Sequence, residues 1–547
     1  MGPEGLRDIV PGLRCVSAAM TDSAGPVGTI LTMRHGSGMN RRRSGLALAV
    51  IGAVAAALAV FPGRVFSEEP PTAGRPWLVV CLASLDQLQN NLDAALFAAD
   101  RPELADLLAA QLRQWRNLAG IDRKRPLGLV RFWPTTPEGM GEEILFLPAT
   151  DREELLKTMT FGVVGYARRT ADHYVIARPE IPYHVLFRRD VAWLGDRTAT
   201  LITCSQQAPE WLGMLVAQHD AGVMWDVRQI PAAHRRLAAD AWRLAVQPAL
   251  QQRDGEAAEH HAWRRRCLEP LVEAGPLAIE QTRRILLRVK FDAERSQALL
   301  DWHLVAEPQS AWSRRLESWR PARSPWQHLL TVDEARSVGF VTGLPAVGNS
   351  SATAAFDGQL AWQVFGELLT ERTAILAWSD GPVAQPQTSL ADMRHPRVYQ
   401  QVPVPDVPIA LRRWIGGNTQ AWRWQEGRIT WWAFGPPDLA RKRLDAALEL
   451  VQQPADPARP PAHFTARVPL RLCLDAIPWL DRLWLDEQLA GREDRITITL
   501  SPVPEGVHMR WELPTGILRV LGGILAHELS LHADWFLSPQ TENSPGP

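Results

Sequence analysis

Hydrophobic residues fall into two rhythms along this chain, and together they predict an alternation of strands and helices. Residues 77–83 (WLVVCLA) form a short continuous apolar run, the pattern of a buried strand, and Ser84 with Gln87 predicts a capping box that opens a helix. Leu85, Leu88, Leu92 and Leu96 then recur at helical spacing to about Leu118, with a break at Arg101-Pro102 and a stop at Gly120. Residues 127–133 and 144–147 predict two strands, and Thr150 with Glu153 predicts a second capping box opening a helix over 151–159. Short strands around Val163, Tyr174, His184 and Val191, and a helix over 208–216, extend this first unit.

The order β-α-β-β-α then recurs. A strand over 223–227 leads through Ile230-Pro231 into a long helical region, a hairpin of 285–291 with 298–305, and a helix over 310–319. A strand over 338–342 passes Leu344-Pro345 and ends in the hairpin 420–434 and a helix over 437–451. A strand over 468–474 passes Ile477-Pro478 and ends in the hairpin 496–513 and a helix over 515–531. The Ile-Pro and Leu-Pro junctions suit a first helical turn, because proline's fixed φ is already helical. The fold class expected is therefore α+β, with degenerate repeats of a β-α-β-β-α unit and antiparallel sheets carrying helices on one face. The units divide the chain at 68–216, 217–333, 334–455 and 456–538, with a disordered tail at 539–547. In the hairpin of the second unit, Leu287, Val289 and Phe291 alternate with Arg288 and Lys290, and Leu300, Trp302 and Leu304 alternate with Asp301 and His303. One buried and one wet face follow from that alternation.

A single stretch changes where this body is expected to work. Arg41, Arg42 and Arg43 precede an uncharged run over 44–61 that Pro62-Gly63 closes, which is the build of an export signal over 39–67. Val65 and Ser67 offer small residues for cleavage before Glu68, and without cleavage residues 41–61 would act as an anchor. Residues 1–38 lack any period and read as disordered or as a mis-assigned start, since Met39 stands directly before the arginines. The expected location is the periplasm or cell envelope. Lys and Arg total 59 against 60 Asp and Glu, a balance that gives no argument for nucleic acid as a partner. Cys81 and Cys473 sit inside apolar runs and read as small buried hydrophobes, and no Cys-x-x-Cys pair is present.

The run GIDRKRPLG (120–128), the run PATDREELLKTM (148–159) and the preceding export signal together resemble a family of large exported proteins of unknown function from planctomycete-type bacteria. The resemblance implies export and a similar body, and brings no activity, cofactor or site residue.

Candidate chemistry is sparse. His527-Glu528 and His532 depart from a zincin, whose histidines stand four apart and about 40° around a helix; five apart places them about 140° apart, on different faces. His260-His261 with Glu256 and Glu259 fits an exposed charged helix. The chain has no nucleophile elbow, Walker A loop or dinucleotide-binding glycine pattern, and no cofactor is expected. Its anomaly is tryptophan, 23 residues against four tyrosines. With Glu426-Gly427 as the turn of the hairpin QAWRWQEGRITWWAF, Trp424 faces Ile429, Trp422 faces Trp431, and these four share one face. Trp422, Trp424 and Trp431 are thus a possible ligand platform if open and core if covered by the helix over 437–451. These readings point to a non-catalytic exported protein that binds or supports an envelope component, protein or glycan. The alternatives are a periplasmic hydrolase with a site gathered from several units, and carbohydrate binding through exposed tryptophans.

Overall fold

A computed structural model describes residues 75–531 apart from connecting stretches, the longest being 342–358, 380–399, 403–419 and 471–481. The export signal over 39–67, the strand around Val163, the Leu344-Pro345 and Ile477-Pro478 junctions, Cys473 and the tail lie outside the described residues.

The chain opens with β1 (Leu78–Leu82), α1 (Leu85–Ala98), α2 (Pro102–Gln114), β2 (Leu127–Arg131), β3 (Glu143–Pro148) and α3 (Arg152–Thr160). β4 (Ala167–Arg169), β5 (Tyr174–Ile176), β6 (Tyr183–Arg188) and β7 (Val191–Gly195) lead to α4 (Thr198–Gln207) and α5 (Glu210–Val216). Next come β8 (Ala221–Asp226), α6 (Ala232–Leu250), α7 (Ala258–Gln281), the hairpin β9 (Thr282–Asp292) and β10 (Gln297–Ala306), and α8 (Ala311–Ser318). The second part holds β11 (Ser337–Val341), β12 (Gln359–Phe365), β13 (Thr373–Ser379), β14 (Gln400–Val402), the hairpin β15 (Gln420–Glu426) and β16 (Ile429–Gly435), and α9 (Pro437–Val451). It closes with β17 (Phe464–Pro469), α10 (Arg482–Leu489), the hairpin β18 (Arg495–Val503) and β19 (Gly506–Pro514), and α11 (Thr515–Leu531).

These nineteen strands form one sheet, antiparallel at every pairing. Followed from neighbour to neighbour, it runs β14-β15-β16-β13-β12-β11-β17-β18-β19-β10-β9-β8-β1-β2-β3-β7-β6-β5-β4. Among the described residues, β10–β19 is the strand pairing that joins the part before residue 318 to the part after 337.

Helices cover both faces of this sheet, not one. Val79, Cys81, Val130 and Met224 pack with Leu201 of α4 and Leu215 of α5 on one side. Leu155 and Leu156 of α3 pack with Leu147, Val185 and Leu194 on the other. On that second face the neighbouring cluster joins Leu485, Leu489, Ile517 and Val520 of α10 and α11 to Ile498 and Trp511. The sequence carries the reason: β1 and β16 read as near-continuous apolar runs, and such strands are stable only when both sides are dry.

The local signals are only partly as expected. The Gln87 amide donates to Ser84 Oγ at 3.1 Å, but the Gln87 side chain reaches Asp220 Oδ1 at 2.8 Å instead of closing the capping box. The cap of α3 is Asp151, whose Oδ1 accepts from the amides of Glu153 at 2.9 Å and Glu154 at 3.1 Å, one residue beyond Thr150. The expectation places no element where α4 and β12 to β14 form.

Candidate functional site

The tryptophan face is closed. In this hairpin Glu426 pairs with Ile429, Trp424 with Trp431 and Trp422 with Ala433, a correction to the register expected from a Glu426-Gly427 turn. The two pairings differ by an even step, so face membership is unchanged and Trp422, Trp424, Ile429 and Trp431 still lie on one side. That side is core: Trp422 is 5% exposed and Trp431 1%, packed with Ala440, Leu444, Ala447 and Leu448 of α9, while Trp424 is half-buried against the same cluster. The Arg441 guanidinium lies 4.0 Å from the Trp422 ring centroid. A ligand has no access to this face as a stacking platform.

The face expected to be wet is where chemistry gathers. Register aligns Gly222, Arg288, Asp301 and Arg510 in one row across β8, β9, β10 and β19, and Met224, Leu286, His303 and His508 in the next. Asp301 is 1% exposed, so the centre of this face is shielded from water. Its burial is sustained by hydrogen bonds. Asp301 Oδ1 accepts from His508 Nε2 at 2.9 Å and Arg510 Nε at 2.8 Å, and Oδ2 accepts from His219 Nε2 at 2.9 Å and Arg510 Nη2 at 3.1 Å. Burial alone would raise this carboxyl's pKa; the bonds from His219, His508 and Arg510, with the Arg510 charge, hold it well below the usual carboxylate range. First and second parts of the chain thus share one ionised group.

His219 is set in place by its neighbour. Asp220 Oδ1 accepts from Gln87 Nε2 at 2.8 Å and Asn91 Nδ2 at 2.9 Å, and Oδ2 accepts the Phe291 amide at 2.7 Å, which pins the turn between α5 and β8. Beside His219 opens a cavity of about 490 Å³. Met214, Ala217, Leu286 and Val305 give it apolar wall, and His219, Arg283, Arg284, Arg288 and His303 bring nitrogen donors to it. Arg283 reaches it because the β9–β10 register slips between Val305 and Ala306, which pair with Arg284 and Thr282 and leave Arg283 as an extra residue. Such a bulge re-aims a side chain that strict alternation would send to the opposite face.

The donors here are under-used. Arg283 Nε, Arg284 Nε, Arg288 Nε and His303 Nε2 are buried without a hydrogen-bond partner. Arg284 Nε stands 3.6 Å from Asp226 Oδ2, an ion-pair distance that is long for a hydrogen bond. Burial, with the charges of Arg288 and His508, pushes His303 down to about 4, so its imidazole is neutral at pH 7. Burial likewise lowers Arg288, opposed by Asp301 and reinforced by Arg510. No Ser, Thr, Cys, Tyr or Lys is among the residues lining the cavity.

The remaining candidates do not converge. His261 Nε2 bonds the Leu250 carbonyl oxygen at 2.8 Å and so closes the end of α6, and Glu256 lies outside the described residues. His527 and Glu528 fall in α11, and His532 lies outside the described residues. Among the described residues no group of three or more His, Cys, Asp or Glu is arranged to hold a metal, and no helix is long and apolar enough to cross a membrane. Cys81 and Cys204 are buried, and burial pushes both thiols up to about 12. No known family matches the chain, and no curated protein matches it.

Proposed function

We propose that this chain is a non-catalytic exported protein of the cell envelope, built from four diverged β-α-β-β-α units, that works by binding through the cavity beside Asp301. The repeat reading is supported by strand order: β1-β2-β3, β8-β9-β10 and β17-β18-β19 each lie side by side in sequence order. First strands meet first strands at β1–β8 and β11–β17, and last strands meet at β10–β19. The export signal over 39–67 and the resemblance to exported planctomycete-type proteins support the location. The partner expected is an envelope component, protein or glycan, and not nucleic acid.

One observation carries the binding reading over catalysis. Asp301, the buried carboxylate that orients His219, already accepts four hydrogen bonds, so it has neither the basicity nor the access of a nucleophile or general base. A hydrolase is the second reading, because His219 lines the cavity and is oriented by a buried carboxylate as the base of a hydrolytic dyad is. Water would then be the nucleophile. Assaying the purified full chain against esterase, amidase, phosphatase and glycosidase substrates separates the two. No turnover is expected; activity lost in His219→Ala would establish the hydrolase instead. Cell fractionation tests location, and full-length chain recovered in the cytosol would refute export.

A further inference from the structure

The cavity beside Asp301 is an unusual place for three guanidinium groups. Arg283, Arg284 and Arg288 all border one space of about 490 Å³, within the range of small-molecule sites. Each has its Nε buried without an acceptor, and His303 adds a ring nitrogen in the same condition. Like charges gathered out of water repel one another and lose hydration, so such a group persists when an anion answers it. The carboxylates nearby do so only in part. Asp226 faces Arg284 at 3.6 Å, Glu307 is engaged by Arg228, and Glu505 sits exposed at the cavity's edge. Asp301 is saturated by His219, His508 and Arg510. Arg288 and Arg283 are therefore left with unspent donors, and a guanidinium's planar fork matches a carboxylate or phosphate. The rest of the wall is apolar, with Met214 from α5 and Leu286 from β9 bounding the same space.

From this geometry we infer that the cavity takes a small ligand carrying a carboxylate or phosphate group on a short apolar body. Arg288 and Arg283 hold the oxyanion, His303 donates to it, and Met214 and Leu286 line the apolar end. The inference rests on the reading of this cavity as the protein's binding site and adds to it the charge and shape of the occupant.

Isothermal titration of the purified full chain with hexanoate, hexyl phosphate, hexanol and hexylamine tests it. At least one of the two anions is expected to bind saturably, with hexanol and hexylamine at least about tenfold weaker, and the stronger anion identifies the head group. Arg288→Met is expected to weaken the anion by about ten- to a hundredfold, as loss of a charged hydrogen bond does. Met214→Trp fills the apolar end from an exposed helix position, and is expected to abolish binding while leaving the unliganded melting temperature within a few degrees. If Arg288→Met does not fold, the anion-to-alcohol contrast in the natural chain and the Met214→Trp result decide. Equal binding of hexanol and hexanoate, both lost in Met214→Trp, would overturn the oxyanion inference and leave the cavity reading standing. No binding of any of the four probes to the folded chain would overturn both.

Discussion

The β15–β16 hairpin and the β10–β19 seam are both antiparallel pairs inside one sheet, yet their interiors are built from opposite materials. The hairpin places Trp422, Trp424 and Trp431 on one face and α9 seals it with Leu444 and Leu448. The seam places Asp301, His303, His508 and Arg510 on one face, where His508 and Arg510 satisfy Asp301, which is as inaccessible as Trp431. Alternation along a strand thus tells which side chains share a face. Whether that face is wet depends on what lies across from it: an apolar row is closed by a helix, and a polar row is closed by complementary charge.

The comparison is most severely tested by removing the centre of each face. Trp431→Ala is expected to cost about 3–5 kcal/mol, the range for emptying a packed aromatic site. Asp301→Ala is expected to cost a similar amount, about 3–5 kcal/mol, because Arg510, His219 and His508 lose their shared acceptor. Urea midpoints of the two variants give the answer, and a loss under about 1 kcal/mol at Asp301 would mean the polar face is solvated after all.

The next largest effect is one of pH and should appear at the seam alone. His303 falls from 6.5 to about 4 on folding, so the unfolded chain binds its proton first. The stability it contributes is fully present above about pH 6.5 and drains as pH falls towards 4. Asp301 is also lowered, so its contribution holds above the ordinary carboxylate range and is lost only below it. Unfolding midpoints measured from pH 8 to 3 are expected to decline in these two stages. His303→Leu should flatten the first stage and leave the second; an unchanged profile would show that His303 is solvated. The smallest effect belongs to the hairpin. Arg441→Ala should cost about 0.5–1 kcal/mol by removing the cation from the Trp422 ring, read as a small shift in thermal midpoint.

Local order is the part of this fold that the sequence makes legible. The helices expected over 437–451 and 515–531 form over those residues, and the hairpins of β9 with β10 and β18 with β19 form where alternation predicts them. The mixed helix-and-strand character and antiparallel pairing follow from the same patterns. What escapes is anything set by distant partners. His508 and Arg510 meet Asp301 across 207 and 209 residues, a register fixed by strand pairing that no local window contains. A usable signal was present, since Asp301 with His303 on one hairpin and His508 with Arg510 on another are opposite polar sets at the same two-residue spacing. The Arg283 bulge carries no local mark, and α4, with Thr198, Thr200 and Thr203 in its first two turns, has weak helical propensity and is held by Leu201 in the core. The cap at α3 moved by one residue because Asp151 is as good an acceptor as Thr150 and better placed.

The pairing of β10 with β19 also sets a timetable for synthesis. Residues 297–305 line up against 506–514, so the flank of β10 opposite β9 stays bare from the moment it leaves the ribosome until residues 506–514, some two hundred positions later, have followed. For that interval a strand with half its backbone groups open is presented to every other nascent chain nearby. Truncation anywhere between residues 306 and 506 would make that interval permanent, and the fragment would be expected to pair with copies of itself.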